Sequence, residues 1–291
     1  MPPKKKLVIL GSSGMLGKEL VRRFFERSDF AVIALSRNEK PVWDASKQDI
    51  SEVLRGLELN EKDRVINASG WIPQRAAGTQ REQIRAAELM NVQVVKDLDS
   101  ACSKSETPLL QIGTDCVFDG LNAPYYEDSK QDATDLYGRT KISGEESLRW
   151  ANLVRCSIIG DTGPFGLLGW FLARGRGSEV VGYVDATWNG VSTIAFSNLA
   201  NAWVDNTLEF SPVQHWIPAD YASKFQLLGY FSDAFNRQDI VISPARAPEP
   251  RDLRLATHYA TQNENYWSMA GYNQIPSIEE MVREFVARRA R

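Results

Sequence analysis

Tyr137 and Lys141 bracket the stretch YGRTK, a phenol and an ammonium four residues apart. On a helix that spacing puts both side chains on one face. A tyrosine, with a pKa of about 10, is a poor acid or base at neutral pH unless its phenolate is stabilised, and a neighbouring lysine does this. The pair therefore suits proton donation to an oxygen on which negative charge develops. It equally suits two ordinary residues on a helix surface, since Tyr and Lys often fall four apart by chance. What surrounds the pair must decide.

A second chemical signal is GSSGMLG, with Gly11, Gly14 and Gly17 at three-residue spacing. One glycine permits a tight turn, one lets backbone approach a pyrophosphate, and one lets a helix pack closely on a strand. The helix start then offers free N–H groups to phosphate. Gly11, Ser13, Gly14, Met15, Leu16 and Gly17 are thus candidates to hold a nucleotide. The spacing departs from the commoner GxGxxG, and a glycine turn without a ligand is the alternative. Downstream, LSRN places Ser36 and Arg37 where a dinucleotide's adenosine ribose would be read. Arginine suits a 2′-phosphate through charge-assisted hydrogen bonds, which favours NADPH, with NADH as the alternative. A solvated loop arginine is the bland reading.

The elements must place these groups. KLVILG (6–11), FAVIALSR (30–37), RVINAS (64–69), LLQIGTDCVF (109–118) and NLVRCSII (152–159) read as apolar strands. Helical periodicity covers 15–27, 51–57, roughly 80–104 and 137–150. Strands alternating with helices predict an α/β fold, a Rossmann-type doubly wound parallel sheet. Thr114 then falls at the carboxyl end of a strand, where such sheets bind ligands. After Gly160 glycines cluster at 160, 163, 166, 169, 175, 177 and 182, around a short helix at WFLARG. A helix is expected over 192–209, a strand at HWIPA, a helix over 221–236, a connector at SPARAPEP and an amphipathic helix over 277–290. The second half reads as a smaller, irregular lobe.

Composition excludes several classes. The 291 residues carry a net charge of −3, so no basic field points to nucleic acid. The basic MPPKKK start reads as solvated charge. No apolar run approaches the roughly 20 residues that cross a bilayer, and no signal peptide is evident, so no membrane partner is expected. Three widely spaced cysteines, Cys102, Cys116 and Cys156, fit a reducing, cytoplasmic location. His215 and His258 have no partner at ligand spacing, so no metal is expected.

TDCVFDG (114–120), APYYED (123–128) and YGRTKISGE (137–145) together resemble the dTDP-4-dehydrorhamnose reductase family within the extended short-chain dehydrogenases/reductases. That family carries T-D-Y-V-F-D-G, P-Y-x-E and Y-G-x-[ST]-K-x-x-G-E, and the spacing from Glu127 to Tyr137 agrees. The resemblance implies an NADPH-dependent reductase of a nucleotide-linked keto-sugar. Tyr137 would be the proton donor, Lys141 its pKa partner and a ribose contact, and Thr114 a holder of the carbonyl oxygen. Asn91 matches an asparagine tied to the proton relay; a polar packing residue is the alternative. Asn67, Ala68 and Ser69 would border the nicotinamide-side phosphates. Asp44 matches an acidic residue that bonds the adenine amine, or is a turn residue. Arg155 resembles a position near the switch into the substrate lobe, or forms a structural salt bridge.

Asp115, Cys116, Trp188 and Arg251 are the remaining substrate candidates under that resemblance. Cys116 stands where the family has tyrosine, and Ala133 where it has proline, so the sugar is open. Cys116 is not expected to be a nucleophile, because nothing near it favours a thiolate. Trp188 suits stacking on a base or sugar, and suits core packing somewhat better. Arg251 and Arg254 suit a diphosphate, or plain solvation. The implied division is a dinucleotide domain over 1–157 plus 191–217 and a substrate lobe over 158–190 plus 218–291. Superfamily members often pair through helices beside the tyrosine, which admits a homodimer, although no diagnostic stripe marks one. Two other activities stay open. One is an epimerase or dehydratase retaining NAD; the other is a non-catalytic regulatory subunit of the same fold.

Overall fold

A computed structural model of the chain describes residues 4–37, 40–160, 166–205 and 211–289. In chain order the elements are β1 (Lys5–Leu10), α1 (Met15–Phe25), β2 (Phe30–Leu35), α2 (Ile50–Gly56), β3 (Arg64–Asn67), α3 (Gln80–Glu88), α4 (Val94–Lys104), β4 (Leu109–Ile112), α5 (Leu136–Glu146) and β5 (Asn152–Arg155). They continue as β6 (Ile158–Ile159), α6 (Leu167–Leu172), β7 (Glu179–Tyr183), β8 (Ala186–Trp188), β9 (Val191–Ser192) and α7 (Thr193–Asp205). The last are β10 (Val213–His215), β11 (Ala222–Ser223), α8 (Lys224–Ala234), β12 (Val241–Ala245), β13 (Arg251–Asp252), α9 (Ala260–Met269) and α10 (Ile278–Arg289). Gly163 and the end of the helix expected over 192–209 lie outside the described residues.

The chain divides into two compact units, one of Met1–Val117, Gln131–Arg155 and Asn206–Gln214, the other of Phe118–Lys130, Cys156–Asp205 and His215–Arg291. The first is built on a six-stranded sheet in the order β10-β5-β4-β3-β1-β2. β1 pairs in parallel with β2 and with β3, and β3–β4 and β4–β5 are also parallel. The chain thus starts in mid-sheet, runs to one edge, and crosses back to build the other side. That reversal beside β1 is the switch point at which open α/β sheets leave a crevice past their strand ends. β3 is buried along its whole length, as a strand covered on both faces must be. Val8, Leu10, Val65 and Leu109 pack with Leu54, Leu98 and Cys102 in one core cluster.

Several boundaries differ from the sequence expectation: the strand expected at HWIPA lies instead at Val213–His215, the helix expected over 137–150 ends at Glu146, and three differences are larger. The helix expected over 80–104 is interrupted by a π turn at Leu89–Gln93, between α3 and α4. The strand expected over 109–118 stops at Ile112, and Asp115–Val117 form a 3₁₀ turn instead. There the Thr114 hydroxyl accepts from the Cys116 N–H at 3.2 Å, which bends the backbone out of the ladder. The strand expected over 152–159 splits into β5 and β6, which belong to different sheets.

The second unit has more strand than its glycine-rich sequence suggests. β11, β8 and β13 form one small sheet, β12 pairs with β7, and β6 with β9. The stretch read as a plain connector contains the end of β12. β7 does alternate, with Val180 and Gly182 inward and Glu179, Val181 and Tyr183 outward. Its core is helical and aromatic: Phe196, Trp216 and Tyr266 form a tilted stack with centroids 5.0 and 5.9 Å apart. α10 buries Ile278, Met281, Val282 and Phe285, one apolar stripe at helical spacing.

A polar cluster lies among these helices. The Tyr272 hydroxyl donates to Glu284 Oε2 at 3.2 Å and accepts from Asn198 Nδ2 at 3.3 Å. Burial pushes the Glu284 carboxyl up to about 7, from an ordinary 4.5. The fold favours the protonated form of this acid, so its contribution is fully present below about 4.5 and is lost as pH rises through about 7. Glu284→Gln should therefore stabilise the protein at pH 8 by about 1–3 kcal/mol and change little at pH 4.5, measured by urea denaturation at both pH values.

Candidate functional site

The glycine turn is tied to the sheet by its own backbone. The N–H groups of Gly11 and Ser12 both donate to the Leu35 carbonyl, at 3.0 and 3.2 Å. Gly11 has φ +75°, and a Cβ there would lie 2.7 Å from the Ala68 carbonyl oxygen. A Cβ on Gly17 would lie 2.0 Å from the Gly11 carbonyl oxygen. The turn can thus be filled only by glycine at both ends. Gly14 is the N-cap of α1, with no side-chain cap and no acidic residue in the first turn. That leaves the helix start around Ser13, Met15 and Leu16 uncapped and suited to an anion. Ser12, which the sequence reading passed over, adds a buried hydroxyl without a hydrogen-bond partner.

Past the ends of β2 and β3 stand the other nucleotide candidates. Ser36 is buried and Arg37 is exposed. The Asp44 carboxylate accepts from the Ser46 N–H at 3.0 Å and the Ser46 hydroxyl at 2.8 Å. Those bonds, the hydroxyl's first, hold its acid constant below the usual carboxylate range. This is the geometry of a turn residue. Asn67 is fully buried, donating to Gln111 Oε1 at 2.8 Å and accepting from the Ser69 N–H at 3.1 Å and hydroxyl at 2.6 Å. Ala68 N–H bonds the Leu10 carbonyl at 3.1 Å. Asn67 thus fixes the shape of the loop, with Gln111 as a supporting partner.

Thr114, Tyr137 and Lys141 come together at the end of β4. Asp135 caps α5, accepting from the Gly138 N–H at 3.0 Å. A Cβ on Gly138 would meet the Cys116 carbonyl oxygen at 2.6 Å, so glycine lets the helix start close against the 115–117 turn. Lys141 is 8% exposed, and its ammonium donates to the Ile112 carbonyl at 2.9 Å. Burial drives the Tyr137 phenol well above its ordinary acid constant; Cys116 and Asp115 add to this and a Thr114 hydrogen bond opposes it. Thr114 also donates to Asp115 Oδ1 at 3.2 Å. Burial likewise pushes the Cys116 thiol far up, with Asp115 adding to it, which disfavours a thiolate.

Asn91 sits in the π turn, 1% exposed. Its side chain accepts from the Trp71 N–H at 2.9 Å and donates to the Trp71 carbonyl at 3.2 Å and the Thr140 hydroxyl at 3.1 Å. Asn91 therefore joins the π turn both to the 71 loop and to α5. Arg155 forms the buried salt bridge that was its alternative reading, Nε to Glu145 Oε2 at 2.9 Å. Glu145, the last residue of the matched motif YGRTKISGE, is a site neighbour to which the sequence reading gave no role, although it lies eight residues from Tyr137 on the same helix face.

The second unit carries the other substrate candidates. Trp188 is 3% exposed, with the Lys224 ammonium 5.4 Å from its ring centre. A Cβ on Gly190 would lie 2.2 Å from the Trp188 ring, so the indole is packed against that glycine. Arg251 is exposed in β13, beside Gly120. Arg254 is engaged by Asp252 at 2.6 Å and stacks 4.4 Å over Tyr221. Among the described residues, no group of three or more His, Cys, Asp or Glu side chains could hold a metal ion, and no helix is long and apolar enough to cross a membrane.

A parallel sheet with this order, a glycine turn at its first crossover and a Tyr–Lys pair beside β4 define a Rossmann-type α/β protein. Residues 5–284 match the family described as RmlD substrate binding domain, and the chain belongs to that family. Among curated proteins it is 29% identical over 210 residues to a probable low-salt glycan biosynthesis reductase Agl14 of Haloferax volcanii, covering 69% of this chain and 64% of that protein. It is 28% identical over 174 residues to a dTDP-4-dehydrorhamnose reductase of Streptomyces griseus, covering 60% and 52%. It is 28% identical over 151 residues to methionine adenosyltransferase 2 subunit beta of Rattus norvegicus, covering 52% and 45%. The match thus spans about half to just under two thirds of the length of each of these relatives. Solved structures show the fold. A Clostridium acetobutylicum dTDP-4-dehydrorhamnose reductase has TM-score 0.78 at 20% identity, covering 98% of this chain and 100% of its own. A Bacillus anthracis enzyme of the same name, in complex with NADP, has TM-score 0.78 at 17% identity over the same shares. A Bacillus cereus UDP-glucuronic acid 4-epimerase has TM-score 0.73 at 13% identity, covering 97% and 99%.

Gly17→Ala tests the cradle. The added methyl meets backbone at 2.0 Å and nothing flexible can yield, so stability should fall by about 1–3 kcal/mol in urea denaturation. Nucleotide binding, read by NADPH fluorescence, should weaken at least tenfold.

Proposed function

We propose that the protein is an NADPH-dependent reductase of a nucleotide-linked keto-sugar, with a dTDP-linked 4-keto-6-deoxyhexose the best-supported substrate. The observation that carries this reading is the grouping of Thr114, Tyr137 and a buried Lys141 at the end of β4, on a chain of the RmlD family. Membership of a family with reductase relatives supports oxidoreductase chemistry, and the likeness to an NADP-bound structure supports the cofactor.

The residues present fit that cofactor. The glycine cradle at Gly11 and Gly17 admits no Cβ, α1 is uncapped, and Ser12 holds an unpartnered buried hydroxyl. The 11–17 turn would hold the pyrophosphate, and Ser36 with Arg37 the 2′-phosphate. Asn67, Ala68 and Ser69 would shape the wall nearby, and Asp44 would face the adenine side. NADPH, when bound, supplies the hydride. The chain's own part is to hold the ketone and deliver a proton. Thr114 orients the carbonyl oxygen by hydrogen bonding. Tyr137, kept neutral by burial, donates its phenolic proton to that oxygen as charge develops on it. Lys141 stabilises the resulting phenolate. Asn91 fixes α5 and so the distance between these groups. The second unit would form the substrate lobe, with Arg251 a candidate for the diphosphate and Cys116 the residue that distinguishes the sugar from those of tyrosine-bearing relatives.

One other reading has an observation behind it, the similarity to methionine adenosyltransferase 2 subunit beta. Under it the chain binds a nucleotide and regulates a partner without turnover. An epimerase or dehydratase would instead retain NAD, which the exposed Arg37 disfavours.

The test is NADPH oxidation with dTDP-4-keto-6-deoxyglucose and its epimerase present. Wild type should consume NADPH, and Tyr137→Phe should lose about 10²–10⁴-fold in kcat with NADPH binding preserved. NADPH binding without turnover across a panel of keto-sugar nucleotides would favour the regulatory reading.

A further inference from the structure

Tyr137, Lys141 and Glu145 follow one another at four-residue spacing along α5, so they form a row on one helix face. The Glu145 side chain is 5% exposed. Its Oε2 accepts from Arg155 Nε of β5 at 2.9 Å and from Gln131 Nε2. Its Oε1 is buried and has no hydrogen-bond partner among the described residues. Both Glu145 Oε1 and the Arg155 stem lie 2.9 Å from where a Cβ on Gly113 would be. The pair is thus pressed against the end of β4, one residue after the carbonyl that Lys141 grips and one before Thr114.

A buried carboxylate with an orphan oxygen is costly, and a structural ion pair alone does not require it. The surrounding charges give it a purpose. Arg155 stands on one side of the row and Lys141 within it. Both cations attract the Glu145 carboxylate. Asp115 and Cys116 of the 115–117 turn face Tyr137 from β4's side, and Asp135 caps α5. Arg85 and Glu88 of α3 and Arg139 of α5 line a groove on the other side of the helix. Glu145 is therefore the carboxylate that the row itself supplies to both cations.

We propose that Glu145 is a positioning residue for the Tyr137–Lys141 pair: its buried carboxylate neutralises Arg155 and is the counter-charge that keeps Lys141 an ammonium. The proposal rests on the roles given to Tyr137 and Lys141 above. Burial pushes the Glu145 carboxyl above its ordinary range, and its attraction to Arg155 and then to Lys141 opposes that rise and favours the carboxylate.

The experiment is competitive trace acylation of the intact protein with acetic anhydride across pH, with Lys141 quantified by mass spectrometry. Only the free amine reacts, so the midpoint reports its protonation without any turnover. Glu145→Gln, which keeps size and hydrogen-bonding oxygen, should lower the Lys141 midpoint by about one pH unit. Arg155→Met should raise it, and the double variant should return close to wild type. A merely structural Glu145 would lower the melting temperature and leave the midpoint in place. Midpoints unmoved in both single variants, or moved the same way in both, would overturn the proposal. If one single variant fails to fold, the direction of the other decides. If wild type reduces no keto-sugar, the proposed reaction fails, while the labelling midpoints still decide the role of Glu145.

Discussion

Helix α5 carries every group of the proposed proton transfer except Thr114, and one backbone contact fixes where it lies. A Cβ on Gly144 would sit 2.0 Å from the Asn91 carbonyl oxygen. No other residue type lets the helix come so near the π turn. The contact brings Lys141 within 2.9 Å of the Ile112 carbonyl, so the ammonium is buried at the end of β4 rather than left in water. Asn91 secures the other side of the contact by bonding Trp71 and Thr140. A π turn at that point gives the asparagine its inward aim, and such turns recur at functional sites.

Around that contact, buried polar groups are paired with one another. Asn67 pairs with Gln111, Asn91 with Trp71, Thr114 with Asp115, and Lys141 with Ile112. A buried polar group without a partner costs about 1–3 kcal/mol, so these pairings are what make such a site affordable to the fold. They also make it rigid, because each member limits the rotamers of the next. The same dryness explains the chemistry. It favours the neutral form of Tyr137, and the neutral phenol is the form that can donate a proton. It disfavours a Cys116 thiolate, which keeps sulfur chemistry out of the site.

Much of this was legible in the sequence because it depends on local pattern. The strand–glycine turn–helix unit at 6–27 and the Tyr–Lys spacing both follow from period and residue type. That the first five strands form a parallel sheet followed from their alternation with helices. What the sequence hid depends on tertiary context. Nothing in AELMNVQ signals a π turn, because the extra residue is selected by the close approach of Gly144. The strand ending at Ile112 looked longer because CVF is apolar, while the Thr114 hydroxyl turns the backbone away. Glycines masked the short strands β7, β8 and β9, whose partners come from far along the chain. Asp44 and Arg155 each had two readings, and only neighbours, Ser46 and Glu145, reveal their bonds. Glu145 matched a motif position but received no role, because its meaning lies in Arg155 and Gln131, which no spacing rule connects to it.

In the proposed reductase, the backbone approach of α5 to Asn91 creates the reactive site while the glycine turn binds nucleotide independently. The most direct measurement is Gly144→Ala, comparing NADPH affinity with the rate of NADPH oxidation on the keto-sugar substrate. NADPH should bind within about threefold of wild type while turnover falls about 100-fold or more, since even a displacement of about 1 Å costs that much in a positioned reaction. Turnover equal to wild type in a folded Gly144→Ala protein would contradict this.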